Sequence, residues 1–334
     1  MSAATVGGLL MIMVAGVLAG NCMLPMKFAK RWHWENTWLV FSLISLVVLP
    51  WALAWLLAGD VLAVYRGLSL AQWLLPFALG AGWGIAQVLF GLSIARLGLA
   101  LGCAIIIGLG SLFGTLVPLF FKNREVLGTP KGMLILAGLA VMVAGIVVSA
   151  RAGRQREQGQ DQQAGSRYAL ALVMAVVCGL MAPMVNYSFA FGQDIADRAI
   201  QMGVPPTRAG YAIWPVGLLG GLIPNLLYSV FLLCKNRTWG AFQGPWMAEA
   251  GLAALMGLFW MGAMAIYGVA SVYLGVLGTS VGWGLFQIFN IMAANTSGVL
   301  TGEWRKAPPG ALRTLYAGLA LLATATVILA ASNR

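Results

Sequence analysis

Charge is scarce in this chain: only 9% of its 334 residues are Asp, Glu, Lys or Arg, while 60% are hydrophobic. Soluble domains carry about 25% charged residues, so the composition points to a protein whose solvent is lipid. Acid is scarcer still, with nine Asp and Glu against twenty Lys and Arg. His33 is the single histidine, and Cys22, Cys103, Cys178 and Cys234 form no CxxC pair. A metal cluster and a disulfide framework are therefore excluded as expectations, no cofactor is implied, and no polar segment is long enough to be a soluble catalytic module. The formal charge of +11 does not mark a nucleic-acid binder, because the basic residues are scattered through short connections instead of lining one stripe.

What is present is apolar sequence in long runs. A bilayer core about 30 Å thick takes about 20 apolar residues per helix. Ten uncharged stretches meet that length, at residues 5–26, 36–58, 73–95, 98–121, 132–150, 168–191, 210–234, 250–270, 275–300 and 314–331. The first has no basic segment before it and no small-residue cleavage pattern after it, so it reads as a retained helix rather than a signal peptide. The fold class expected is an all-α membrane protein of ten transmembrane helices.

Two halves are visible. Residues 1–150 hold five spans, residues 151–167 are a Gln-, Gly- and Arg-rich linker expected to be cytoplasmic, and residues 168–334 hold five more. An offset of 177 positions superposes Gly80 on Gly257, Trp83 on Trp260, Ala86 on Ala263, Gly91 on Gly268, Leu97 on Leu274 and Gly98 on Gly275 without a gap. At nearby offsets the run from Ala137 to Ala140 recurs from Ala317 to Ala320, and Pro50 matches Pro224. An odd number of spans per half makes the repeat inverted, the arrangement that suits alternating access around a midplane site. Thirteen of the twenty basic residues, Lys27, Lys30, Arg31 and Arg151 among them, fall in the connections that include the linker. Cytoplasmic loops retain Lys and Arg, so both termini are expected outside the cytoplasm.

Polar groups inside membrane helices face protein or a wet cavity. The ninth span carries Thr279, Trp283, Gln287 and Asn290 at spacings that place all four on one helical face. Trp83 and Gln87 share a face of the third span, and Trp260 and Tyr267 share one of the eighth. Asn21 in the first span and Asn186 with Tyr187 in the sixth lie near Pro25 and Pro183, prolines able to interrupt those helices. Amides, hydroxyls and aromatic faces without charge suit a small neutral sugar, a ring of hydroxyls with apolar faces. The same residues also serve as helix-packing glue or interfacial anchors. With no carboxylate or histidine in the ten stretches, proton coupling would fall to rim residues, of which Lys27 and Glu35 are the candidates. Asp194, Asp197, Glu249 and Glu303 are expected to be solvated charges at span ends.

Several runs resemble the L-rhamnose-proton symporter family of the drug/metabolite transporter superfamily. They are Pro25-Met26-Lys27, Lys30-Arg31-Trp32-His33-Trp34-Glu35, Leu49-Pro50-Trp51, Gly82-Trp83-Gly84-Ile85, Gly91-Leu92-Ser93, Leu97-Gly98 and Gly114-Thr115-Leu116-Val117-Pro118. Ala152-Gly153, Cys178-Gly179 and Glu303-Trp304 continue the resemblance. It implies a ten-helix fold with a central cavity lined by spans 1, 3, 4, 6, 8 and 9, spans 5 and 10 being peripheral. It also implies import of L-rhamnose or a related deoxysugar with a proton. Some members carry an aspartate between tyrosines near the start of the ninth span, where this chain reads Leu277-Gly278-Thr279-Ser280. The rival within the superfamily is an exporter of amino acids, nucleosides or other small metabolites. An intramembrane enzyme would need acids or a metal that the spans lack, and a passive scaffold would leave the polar stripe unexplained. Expected partners are therefore sugar, proton and membrane lipids, with no nucleic acid. A small-residue face on spans 5 and 10 suits either a homodimer or packing within the bundle.

Overall fold

The computed structural model describes residues 3–156 and 166–332, so most of the linker (157–165) and Arg334 lie outside the described residues. Backbone amides in lipid have no water to bond, and helices satisfy them internally. The described residues accordingly form helices joined by short turns. The main helices are α1 (Ala3–Asn21), α2 (Trp34–Ala58), α3 (Leu70–Leu97), α4 (Leu99–Lys122) and α5 (Pro130–Arg156). They are followed by α6 in two segments (Ser166–Met181 and Met184–Phe191), α7 (Ile213–Asn236), α8 (Met247–Tyr273), α9 (Val281–Leu300) and α10 (Pro309–Ser332). Nine helical stretches among the described residues are long and apolar enough to cross a membrane. The exception is α9, 20 residues long, in which Gln287, Asn290 and Asn295 dilute the apolar content.

Local chemistry sets the ends and breaks. Ser69 and Gln72 form a capping box ahead of α3, with Gln72 Oε1 accepting from the Ser69 N–H at 2.8 Å. Pro183 lacks an N–H, and α6 is interrupted between Met181 and Met184. α2 contains a π turn at Ile44–Val48, where the Ser45 hydroxyl donates to the Phe41 carbonyl at 2.7 Å. The expected ninth span starts later than its sequence suggests. Gly275 has φ +69°, and any side chain at Gly278 would meet the Ser271 backbone. The chain therefore turns tightly before α9, and Thr279 lies in that turn, outside the helix that carries Trp283, Gln287 and Asn290.

The chain forms two compact units, each drawing on both sequence halves. The first contains the chain up to Val17, Leu89–Pro183 and Ala270 onward. In it α1 runs parallel to α9, Ile12 lying near Gly282 and Gly16 on Asn290, and α4 runs parallel to α6, Leu109 lying on Gly179 and Gly114 on Pro183. α5 and α10 are antiparallel, Gly138 opposing Leu329, Gly145 opposing Leu322, and Gly318 opposing Ser149. The small residues of these two helices are thus taken up against each other. The second unit contains Leu18–Val88 and Met184–Val269. There α3 and α7 run parallel in backbone contact at Gly80 with Gly217 and Gly84 with Gly221, a close approach that only small residues allow. α2 runs antiparallel to α7, with Trp34 beside Tyr228 and Trp38 bonded to Asn225.

Candidate functional site

Seven of the eleven expected binding residues belong to the second unit, and the structure brings four of them together as two pairs. Trp83 of α3 and Trp260 of α8, the pair that the internal repeat superposes, stack on each other with centroids 5.1 Å apart and planes at 20°. Both indoles are buried. The edge of Trp83 lies over Gly221 of α7, whose carbonyl accepts from Asn225 Nδ2 at 2.9 Å, while Asn225 Oδ1 accepts from Trp38 Nε1 at 2.9 Å. Asn225 is therefore fully engaged as glue between α7 and α2. The same rule that singles out amides in membrane helices applies to it, and it was legible beside Pro224.

One turn of α6 supplies a second group. The Tyr267 hydroxyl of α8 donates to Asn186 Oδ1, and Phe189 stacks on Trp214 at 4.7 Å. Ser188 donates to the Pro76 carbonyl at 2.8 Å. Tyr187 differs from its neighbours: it is 6% exposed, and its hydroxyl has no hydrogen-bond partner. A buried hydroxyl normally finds a partner, and this one finds none within the protein. Gln87 is half-buried one turn beyond Trp83, and Asn21, the last residue of α1, is half-buried as well.

The stripe on α9 belongs to the first unit. Trp283 is buried, packs into the notch at Gly114 and Pro183, and donates through Nε1 to the Gly110 carbonyl at 3.2 Å. Gln287 and Asn290 are half-buried and touch each other, Asn290 Nδ2 lying 3.4 Å from Gln287 Oε1. Thr279 is half-buried in the preceding turn.

Two carboxylates stand at one end of the second unit. Glu35, in the first turn of α2, is buried, and its Oε1 accepts from Asn236 Nδ2 and Thr238 Oγ1, both at 2.9 Å. The neighbouring Asn36 donates to the Thr238 carbonyl at 3.0 Å and accepts from the His33 N–H at 3.2 Å. Lys27 is exposed in the Leu24–Phe28 turn. The expectation of a solvated Glu249 is overturned. It is 6% exposed, and its Oε1 accepts from the backbone N–H groups of Lys30 and Arg31 at 3.1 and 3.0 Å, tying the α1–α2 connection to the first turn of α8. Trp32 strengthens the same clasp by donating to the Ala241 carbonyl at 3.1 Å. Glu303 is also paired, lying 3.2 Å from Arg156, whose guanidinium covers Trp304. Asp194 and Asp197 are exposed, as expected. Among the described residues no cluster of three His, Cys, Asp or Glu could hold a metal.

The side chains gathered here are amides, hydroxyls and aromatic rings, with Trp83 and Trp260 face to face and Asn186 bonded to Tyr267. A family model described as L-rhamnose-proton symport protein matches residues 1–333. Proteins called L-rhamnose-proton symporter from Cronobacter sakazakii, Shigella flexneri and Escherichia coli are similar to the chain throughout. Each is 28% identical over 337 residues, covering 98% of this chain and 98% of the relative.

Proposed function

The chain belongs to the L-rhamnose-proton symport protein family, and from that membership we propose that it imports L-rhamnose, or a closely related deoxysugar, together with a proton. The observation that carries this reading is the match along nearly the full length of both chain and relatives. It is a transporter and not an enzyme. The proposed setting is a bacterial inner membrane with both termini periplasmic, for which the loop distribution of Lys and Arg is the support.

The architecture we propose is two inverted repeats of five helices, as in the drug/metabolite transporter superfamily. Helix directions support it. Under the repeat α1 exchanges with α6 and α9 with α4, so a parallel α1–α9 pair requires a parallel α6–α4 pair, and both pairs are parallel. α5 and α10, which exchange with each other, are antiparallel. The chain passes from one unit to the other within α1 and α3 in the first half and within α6 and α8 in the second, again at corresponding helices. Alternating access then consists of the two halves exchanging shapes.

For the sugar, the reading rests first on the stacked Trp83 and Trp260, the unpartnered Tyr187 hydroxyl, and Asn186 with Tyr267, with Asn21 and Gln87 beside them in sequence position. Thr279, Trp283, Gln287 and Asn290 form a separate candidate set in the first unit. For the proton, Glu35 and Lys27 are the proposed coupling residues, with the burial of Glu35 at the end of α2 as the support.

Uptake of radiolabelled L-rhamnose into proteoliposomes, with and without an inward proton gradient, tests the function. Gradient-driven accumulation is expected, and it should be lost in Glu35→Gln. Rhamnose exchange that no gradient accelerates would discard the coupling, and folded protein that neither binds nor moves rhamnose would discard the sugar.

A further inference from the structure

The end of α4 that leads into α5 carries a groove formed by none of the candidate site residues named above. Phe113, Leu116, Val117, Phe120 and Phe121 recur at helical spacing along one side of α4, and with Leu127 from the following turn they line an apolar groove. Its closing wall is a rigid turn. Arg124–Gly128 forms a single 3-10 turn in which Val126 N–H donates to the Asn123 carbonyl at 3.0 Å, and the Thr129 hydroxyl donates to the Val126 carbonyl at 2.7 Å. Asn123 Nδ2 in turn donates to the Val276 carbonyl at 3.2 Å. The turn rests directly on α5: a Cβ at Gly132 would lie 2.7 Å from Leu127 Cα. The turn therefore fixes Leu127 as one wall of the groove.

The rim is positive. The Arg124 guanidinium stands 5.1 Å from the centre of the Phe120 ring, so a lining residue itself holds a cation at the mouth. Lys122 and Lys131 are exposed on the same segment, and Glu125 is the only acid between Phe120 and Lys131. In a bilayer an apolar groove on a helix takes an acyl chain, and the adjoining charge selects the headgroup.

We propose that this groove is a binding site for an anionic glycerophospholipid, an acyl chain lying along Phe113–Phe121 and the phosphate facing Arg124 and Lys122. The proposal is independent of the sugar and proton reading.

The test is native mass spectrometry of the full chain in mild detergent with equimolar phosphatidylglycerol and phosphatidylcholine of identical acyl chains. Preferential retention of one phosphatidylglycerol is expected. Arg124→Gln, an exposed position, should lower that occupancy about fivefold while leaving phosphatidylcholine and the melting temperature unchanged. Arg66→Gln, which removes an exposed cation of the other unit, should leave it unchanged. Phe121→Ser should weaken both lipids. Equal retention of the two lipids, an unaltered preference in Arg124→Gln, or an equal loss in Arg66→Gln would overturn the proposal. So would a dimer that Phe121→Ser abolishes, since a second copy would then occupy the groove.

Discussion

Replacing Tyr187 with Phe separates a packing role from a binding role, because the two predict opposite signs. The hydroxyl is buried and has no partner within the protein. An unsatisfied buried polar group costs roughly 1–3 kcal/mol, while Phe retains the ring and its edge contact with Phe191. Taking the lower end, Tyr187→Phe should stabilise the substrate-free protein by about 1 kcal/mol. In a chain of this size that is a rise of about 2 °C in melting temperature. If the hydroxyl bonds a sugar oxygen, the same change removes a neutral hydrogen bond of about 1 kcal/mol and weakens rhamnose binding about fivefold. The assays are thermal melting in detergent without sugar and equilibrium binding of labelled rhamnose to the same preparation. A variant that melts lower and binds rhamnose normally would refute both halves of the reasoning, since the hydroxyl would then be a satisfied structural group.

Glu249→Ala leaves the Lys30 and Arg31 amides without their carboxylate and should cost about 2–4 kcal/mol. Glu249→Gln keeps an acceptor and should cost less than half of that, as read by the two melting temperatures. Gly80→Ala places a methyl on the Gly217 carbonyl and should destabilise by about 1–3 kcal/mol, whereas Gly91→Ala meets nothing within 4 Å and should melt like the parent. Trp83→Ala and Trp260→Ala should be mirror images. The rise in KM that one causes for rhamnose entering from one face should match the rise the other causes from the opposite face, measured as sided exchange in oriented vesicles, and changes confined to the same face would count against the repeat.

Much of the helix pattern was legible because lipid leaves a chain few choices. Nine of the helices among the described residues are long and apolar enough to cross a membrane, and the misfits lie where hydropathy is blind to hydrogen bonding. α5 runs on to Arg156, since nothing in the backbone ends a helix where the membrane ends. Thr279 drops off α9 because of a positive φ four residues before it, a conformation that an apolar run does not announce. Glu249 was misread for a different reason. Its partners are backbone amides more than 200 positions away, and a carboxylate bonded to main-chain donors leaves no complementary charge in the sequence.

The internal repeat carried information that the individual polar residues did not. Trp83 and Trp260 were legible as equivalents at an offset of 177, yet nothing in the sequence said that equivalents touch. Two copies of a position related by a twofold rotation can stack only if both lie close to the axis, because any displacement of one copy from it is doubled in the distance to the other. A centroid separation of 5.1 Å then puts each ring within about half that distance of the proposed exchange axis. Groups so near the axis move least when the halves trade shapes. On the binding role proposed for the pair, the sugar would then lie beside that axis, while the Glu35 and Glu249 clasps join the ends of α2 and α8 to neighbouring connections.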